Sequence, residues 1–285
     1  MNGASTMTAA RAIDECPPAG RFAAHRAAEN GACRPDERPV QLELVIPALN
    51  EELRLGPSLA AVCKHLATLS FSARVLVVDN GSVDATAETA AAADSAAVPV
   101  RVIGCRDRGK GAAVWAGMQA ARARWVGFCD ADLATPIDTL DEVAARLADG
   151  APVVIGSRRC TGASYTHKQP AVRRAGGWAF RRLSRDLVPG VADTQCGFKF
   201  FTADAAAVLF RDIGSDGFSF DLELLARAAQ CGLPVIEVPV AWTDRDGSSL
   251  RPVEHGREVL REVRRLRRLA ATEESADHRA GAAAA

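Results

Sequence analysis

Aromatic residues make up only 5% of this 285-residue chain, too few for the stacking platforms that hold single-stranded nucleic acid. Neither charge is in excess. Lys and Arg total 35, as do Asp and Glu, so no global basic footprint for a polynucleotide exists and no nucleic-acid partner is expected. No apolar run approaches the ~20 residues of a membrane-spanning helix. The eight cysteines are scattered without a Cys-x-x-Cys pair, which excludes zinc spacing and suggests reduced thiols in a cytoplasmic protein. Residues 1–38, rich in Ala, Arg, Pro and Gly, lack the apolar segment of a signal peptide and read as a disordered leader. Residues 271–285 read as a loose Ala-rich tail, leaving 39–270 as a single folded domain.

What is present is alternation. Leu42 to Ile46 reads as a first strand stopped by Pro47, with a helix from Leu59 to Leu69. Arg74 to Val78 is a strand ending at Asp79, and Asn80-Gly81-Ser82 turns into a helix from Asp84 to Ala92. Val98 to Ile103, Trp125 to Cys129 and Val153 to Gly156 are further strands. Helices run from Gly111 to Arg122 and from Pro136 to Leu147. The second half is less regular: helices at Arg173–Leu187, Phe220–Gln230 and Val259–Leu269, strands at Gly197–Phe201 and Val235–Val240. Short alternating strands and helices specify an α/β fold, a mostly parallel central sheet with helices on both faces.

Three strands end in polar turns: Pro47-Ala48-Leu49-Asn50-Glu51, Asp79-Asn80-Gly81-Ser82 and Asp130-Ala131-Asp132. Parallel strands bring such ends to one edge, where open α/β sheets bind ligands. Two carboxylates there suit Mg²⁺ or Mn²⁺ and, through the metal, a diphosphate; a solvated turn is the plain alternative. Asp79 is placed to accept hydrogen bonds from a base or ribose, or simply to cap the turn. Gly109-Lys110-Gly111 allows close backbone approach to an anion but lacks the P-loop spacing. No Gly-x-Gly-x-x-Gly follows the first strand, which disfavours a dehydrogenase.

These segments, in this order, resemble family 2 glycosyltransferases, and most of all the polyprenyl-phosphate (dolichyl-phosphate) β-glucosyltransferases and mannosyltransferases. Asp193-Thr194-Gln195-Cys196-Gly197-Phe198-Lys199, Phe220-Asp221-Leu222-Glu223 and Glu237-Val238-Pro239-Val240-Ala241-Trp242 carry the likeness into the second half. The resemblance implies a GT-A, Rossmann-like nucleotide-binding fold and a nucleotide-diphosphate sugar donor. Pro47, Asn50, Glu51, Asp79 and Gly81 would shape the nucleotide pocket, and Asp130, Ala131 and Asp132 would meet the metal and sugar diphosphate. Lys110, Arg158 and Arg245 are the candidate cations for the leaving group. Asp221, Glu223 and Asp193 are the candidate bases; Asp221 and Glu223 flank a helix start, so one of the two is expected to face the site. Gln195, Lys199 and Trp242 are expected at the acceptor.

Ala134 replaces a glutamine frequent in mannosyltransferase relatives, which points to the glucosyltransferase-like branch. Asn80 stands where a second acid is common, and the subgroup's lysine after Gly247-Ser248 is replaced by Ser249. The acceptor is expected to be polyprenyl phosphate or a soluble small molecule. A sugar nucleotidyltransferase is a third reading, though the first strand lacks its glycine-rich basic signature. The terminal arginine-rich helix, interleaved with Val259, Leu260, Val263, Leu266 and Leu269, either lies on an anionic membrane or packs its apolar stripe on the domain. Oligomeric state is not legible.

Overall fold

Strands buried on both faces read as near-continuous apolar runs, and β1 (Leu42–Ala48), β2 (Ala73–Asp79) and β4 (Trp125–Cys129) are of this kind. The first two are interrupted by Glu43 and Arg74, which pair with each other at 2.5 Å. Successive side chains feed two cores. Val45, Val78 and Phe128 enter one, and Leu44, Ile46 and Val77 the other. The computed structural model of the chain describes residues 40–165, 171–211, 213–215, 217, 219–243 and 261–269. The predicted leader and tail, Arg245 and Gly247-Ser248 lie outside these residues.

A seven-stranded sheet has the order β3-β2-β1-β4-β7-β5-β8, with β3 at Val100–Gly104, β5 at Val153–Ser157, β7 at Phe198–Thr202 and β8 at Val235–Pro239. All neighbours pair in parallel except β7, which runs antiparallel between β4 and β5. Gly127 of β4 makes that pairing possible, because a Cβ there would overlap the Phe200 ring. A small sheet joins β6 (Ser164–Tyr165) to β9 (Ala241–Trp242).

Helices α1 (Glu52–Leu66), α2 (Thr86–Ala91) and α4 (Thr139–Ala148) supply buried residues to the core around Leu44. Helices α3 (Lys110–Ala120), α6 (Ala203–Leu209) and α7 (Phe220–Gln230) fill the core around Val45 and Phe128. Helix α5 (Ala171–Ser184) follows β6. Residues 261–269 form a last helix, α8, whose Val263 and Leu266 are buried in the Phe128 core. That part of the terminal apolar stripe therefore packs on the domain. No helix among the described residues is long and apolar enough to cross a membrane.

Several boundaries differ from those read by periodicity. β1 runs through Pro47 to Ala48. Asn80 N donates to Ala48 O, so residue 48 faces β2 and Pro47 faces β4, beyond the last β1–β4 pair at Val45. A missing N–H there breaks no ladder bond. α1 starts at Glu52 and contains Pro57; Pro57 and Leu53 are both exposed, so water can satisfy the Leu53 carbonyl that loses its helical donor. α6 and the small β6–β9 sheet were not expected. Cys63, Cys105, Cys129, Cys160 and Cys196 are free thiols, but Cys231 is disulfide-bonded, against the expectation of reduced cysteines throughout.

Candidate active site

The carboxyl ends of β1, β2 and β4 lie side by side: Ala48 pairs with Asp79, and Asp130 follows the last residue of β4. The loops leaving β1 and β2 are stitched together by polar side chains. Ser82 Oγ accepts from Asn50 N at 3.0 Å, Asn50 Oδ1 accepts from Val83 N at 2.9 Å, and Thr86 Oγ1 accepts from Glu51 N at 2.8 Å. Among the described residues, the two non-glycine positions with positive φ, Asn50 (55°) and Leu133 (48°), both sit at this edge. A left-handed leucine directly after Asp132 marks local strain at that loop. Asp79 is half-buried and accepts from Ser82 N at 3.1 Å, closing the turn that Gly81 (φ 81°) permits.

Asn80 is buried and ties β2 to the next loop. Its amide nitrogen donates to Asp107 O at 2.6 Å and its oxygen accepts from Gly109 N at 2.9 Å. A carboxylate could not donate, which accounts for an amide where an acid is otherwise expected. Gly109 (φ 128°) then turns the chain into α3, and Lys110, the first helical residue, reaches Asp130 Oδ1 at 2.5 Å.

Asp130 and Asp132 lie close enough for their charges to interact, in a short loop where Asp132 Oδ1 accepts from Ala134 N at 3.0 Å. Burial, and then the neighbouring Asp130, raise the Asp132 pKa. For Lys110, burial alone would lower the pKa, but Asp130, Asp221 and Asp132 together raise it. One lysine thus answers several acids, and negative charge is left over. Gly197 packs directly against Asp130: its carbonyl accepts from Asp130 N at 3.1 Å, and a Cβ at this glycine would overlap the Asp130 carboxylate.

Helix α7 places Asp221 and Glu223 on opposite faces, two residues being 200° of helical turn. Asp221 Oδ1 meets Lys199 Nζ at 2.5 Å; burial raises the Asp221 pKa, against the pull of Lys199 and Lys110. Lys199 is fully buried, donates also to Cys196 O at 2.7 Å and lies 5.7 Å from the Phe128 ring centre. Glu223 faces the other way. It accepts from Gly214 N and Ser215 N at 3.1 and 2.9 Å and meets Arg265 of α8 at 2.6 Å.

A third cluster follows β5. Arg158 forks onto Asp193 through Nε (2.7 Å) and Nη2 (2.8 Å), its backbone N donates to the same carboxylate (2.9 Å), and its guanidinium stands 5.6 Å from the Trp242 ring centre. Burial would raise the Asp193 pKa, but the hydrogen bonds and charge of Arg158 outweigh it and hold it at about 2. Gln195 N donates to Asp193 Oδ1 at 3.2 Å, while its side-chain Nε2 is buried without a partner.

The fold therefore gathers Asp130, Asp132, Lys110, Asp221 and Lys199 in one electrostatic cluster, with the Arg158–Asp193–Trp242 group beside it through Lys199. It does not bring Glu223 there. Glu237, outside the predicted set, fixes Asp193 by accepting from Ala192 N and Asp193 N at 2.9 and 3.0 Å. Its sequence signals are an acid inside an otherwise apolar strand and its place at the head of a segment that resembles the family.

A carboxylate pair at a parallel sheet's carboxyl edge, beside a lysine that opens a helix after a left-handed glycine, defines the class: an α/β nucleotide-sugar transferase of the GT-A fold. The sequence profile described as "Glycosyl transferase family 2" matches residues 43–210, and the chain belongs to that family. It is 37% identical over 241 residues to a dolichyl-phosphate β-glucosyltransferase of Drosophila melanogaster, covering 76% of this chain and 71% of the fly protein. To the enzyme of that name in Homo sapiens it is 33% identical over 232 residues, covering 76% and 72%. Among solved structures, glucosyl-3-phosphoglycerate synthase from Mycobacterium tuberculosis in complex with UDP superposes with a TM-score of 0.61 at 20% identity, over 88% of this chain and 85% of that one. The same synthase with Mn²⁺, UDP and its glucosylated product gives 0.60 at 19%, over 88% and 84%. Family membership sets aside the nucleotidyltransferase reading.

Proposed function

We propose that this glycosyltransferase moves glucose from UDP-glucose to the phosphate of a polyprenyl phosphate, with inversion at the anomeric carbon. The observation that carries the reading is the Asp130–Asp132 pair with its single close lysine. Dolichyl-phosphate β-glucosyltransferase is the name of the relatives at 31–37% identity, and the synthase of similar fold has been seen with UDP-glucose and Mn²⁺.

The donor set fits Mg²⁺ or Mn²⁺. Asp130 and Asp132 are hard oxygen ligands carrying excess negative charge, and no cluster of three or more His, Cys, Asp or Glu exists among the described residues. The remaining positions would then fall to the diphosphate and water, as these cations prefer. When bound there, a divalent cation supplies charge neutralisation for the departing nucleoside diphosphate. Lys110 contributes a fixed positive charge on the same side.

The commitment of the nearby acids favours a phosphate acceptor over a hydroxyl. Asp193 is held by Arg158, Asp221 by Lys199 and Glu51 by Arg54. A hydroxyl nucleophile needs a free base within hydrogen-bond reach; a phosphate oxygen is already an anion. In the transfer that oxygen bonds to the sugar's C1 as the C1–O bond to UDP breaks, releasing UDP and a glycosyl phosphate.

The test is a screen of UDP- and GDP-sugars with Mn²⁺, with and without undecaprenyl phosphate, read by mass spectrometry. UDP-glucose should give a glucosyl-phosphate lipid. EDTA or Asp132→Ala should lower turnover by about 10²-fold or more, the scale of losing a key electrostatic stabiliser. Turnover indifferent to both would refute the metal role.

A further inference from the structure

A cavity of about 410 Å³ opens between α5 and the segment leading into Asp193, lined by Arg159, Arg181, Arg182, Arg185, Thr194 and Trp178 among others. We propose that this cavity binds the acceptor's phosphate group, an assignment that rests on the phosphate acceptor proposed above.

Arg159 Nη2 and Arg181 Nη1 converge on Gly177, each 3.6 Å from where a Cβ would stand. Burial lowers the pKa of Arg181, and the like charge of Arg159 lowers it further. No carboxylate among the described residues forms an ion pair with any of the four arginines. The acids whose charge reaches Arg181 and Arg182 are Asp193 and Asp186, and these are already held by Arg158 and Arg267. Converging guanidinium groups without a counter-ion repel one another, and an anion seated between them relieves the repulsion.

The identity of the anion is argued from what else lines the space. Thr194 is 6% exposed and its buried hydroxyl oxygen has no hydrogen-bond partner. A hydroxyl donor beside several guanidinium forks matches the oxygens of a phosphate monoester, which arginine binds in bidentate fashion. Trp178 presents a large ring that is 63% exposed, a surface for an apolar chain attached to that phosphate. Thr194 directly follows Asp193, whose charge couples to Lys199 and so to Asp221 and the aspartate pair. Through Thr194 and Arg159 the cavity adjoins the Arg158–Asp193 group, which is coupled in charge to the aspartate pair. The phosphate can be carried by a lipid or by a soluble molecule; the chemistry of recognition is shared.

The experiment uses the full chain and Arg181→Glu, with Arg185→Ala as a milder second variant. Inorganic phosphate is the first probe, read by thermal unfolding. It should raise the wild-type midpoint and leave Arg181→Glu unmoved, since only a ligand of the folded state stabilises it. Kinetics follow with UDP-glucose and either undecaprenyl phosphate in micelles or glycerol 3-phosphate in water. The KM for whichever acceptor the wild type uses should rise at least about tenfold in Arg181→Glu, the scale of a lost charge-assisted contact. Acceptor-free hydrolysis of UDP-glucose reports on the donor half. An unchanged acceptor KM in both variants, with hydrolysis intact and no phosphate-dependent midpoint shift in the wild type, overturns the assignment. If the wild type consumes no nucleotide sugar at all, the glycosyltransferase reading above fails instead, and the midpoint shift still decides the cavity.

Discussion

Removing the Lys199 charge should destabilise the fold far more than removing the whole ion pair of which it is half. Lys199 is fully buried, and its partner Asp221 is 3% exposed. Lys199→Met keeps the aliphatic stem against Phe128 but removes the direct ion-pair partner of a buried carboxylate, leaving it only the charge of Lys110, which already answers Asp130. Breaking a buried pair in this way costs about 3–5 kcal/mol, a large share of the ~5–15 kcal/mol that holds a typical domain folded. The loss should be pH-dependent. Burial already raises the Asp221 pKa, and without Lys199 it rises further. The folded state then holds a proton that the unfolded chain has released, so stability falls as pH climbs through the raised folded value and recovers below it. Replacing both partners, as Lys199→Met with Asp221→Leu, should return stability to within about 2 kcal/mol of wild type, because matched apolar side chains remove the unpaired charge. Urea unfolding followed by tryptophan fluorescence at several pH values measures all three proteins. A single variant within 1 kcal/mol of wild type, on the scale of a surface pair, would refute the argument. So would a double variant no more stable than the single one.

Asp193 gives the opposite pH signature: its folded pKa of about 2 lies below the ordinary 3.8, so its pairing stabilises by on the order of 2 kcal/mol above pH 4 and loses this as pH falls toward 2. The stability gap between wild type and Asp193→Asn should shrink over that interval; a gap constant with pH would contradict the pairing. Gly197→Ala should push the Asp130 carboxylate aside, costing about 1–3 kcal/mol of stability and lowering UDP-glucose hydrolysis by about 10²-fold, as a misplaced group does. Hydrolysis at the wild-type rate in this variant would show that the contact with Asp130 is not needed.

Much of the first half was legible because parallel strands covered on both faces leave local signals. The strand Trp125–Cys129 and the helix Phe220–Gln230 fall where periodicity puts them. The polar ends of β1, β2 and β4 meet at one edge because parallel pairing requires it. The insertion of β7 between β4 and β5 was not legible, since its register depends on Gly127 accepting the Phe200 ring across the sheet. Nor was the burial of Lys199. A lysine in Phe-Lys-Phe-Phe reads equally as an exposed edge charge, and the distinction comes only from Asp221, 22 residues later. Helical geometry implied that Asp221 and Glu223 diverge, but which of them meets the cluster depended on where α7 packs. Of the arginines lining the cavity, Arg181 and Arg182 lie in the last turn of α5 and Arg185 directly follows it, a spacing that an ordinary solvated face would also show; the cavity alone sets them apart.

The reversed strand β7 has a consequence for how the molecule can be taken apart. It comes from the later half of the chain yet zips into the flank of β4, and its preceding glycine props up the aspartate on which the earlier half depends. A fragment stopping near residue 150 would keep all three polar turns but leave β4 with a bare, adhesive margin and Asp130 unsupported. The two halves of the chain are thus not separable modules, and exchanging them between relatives would have to carry this strand across with its own partners.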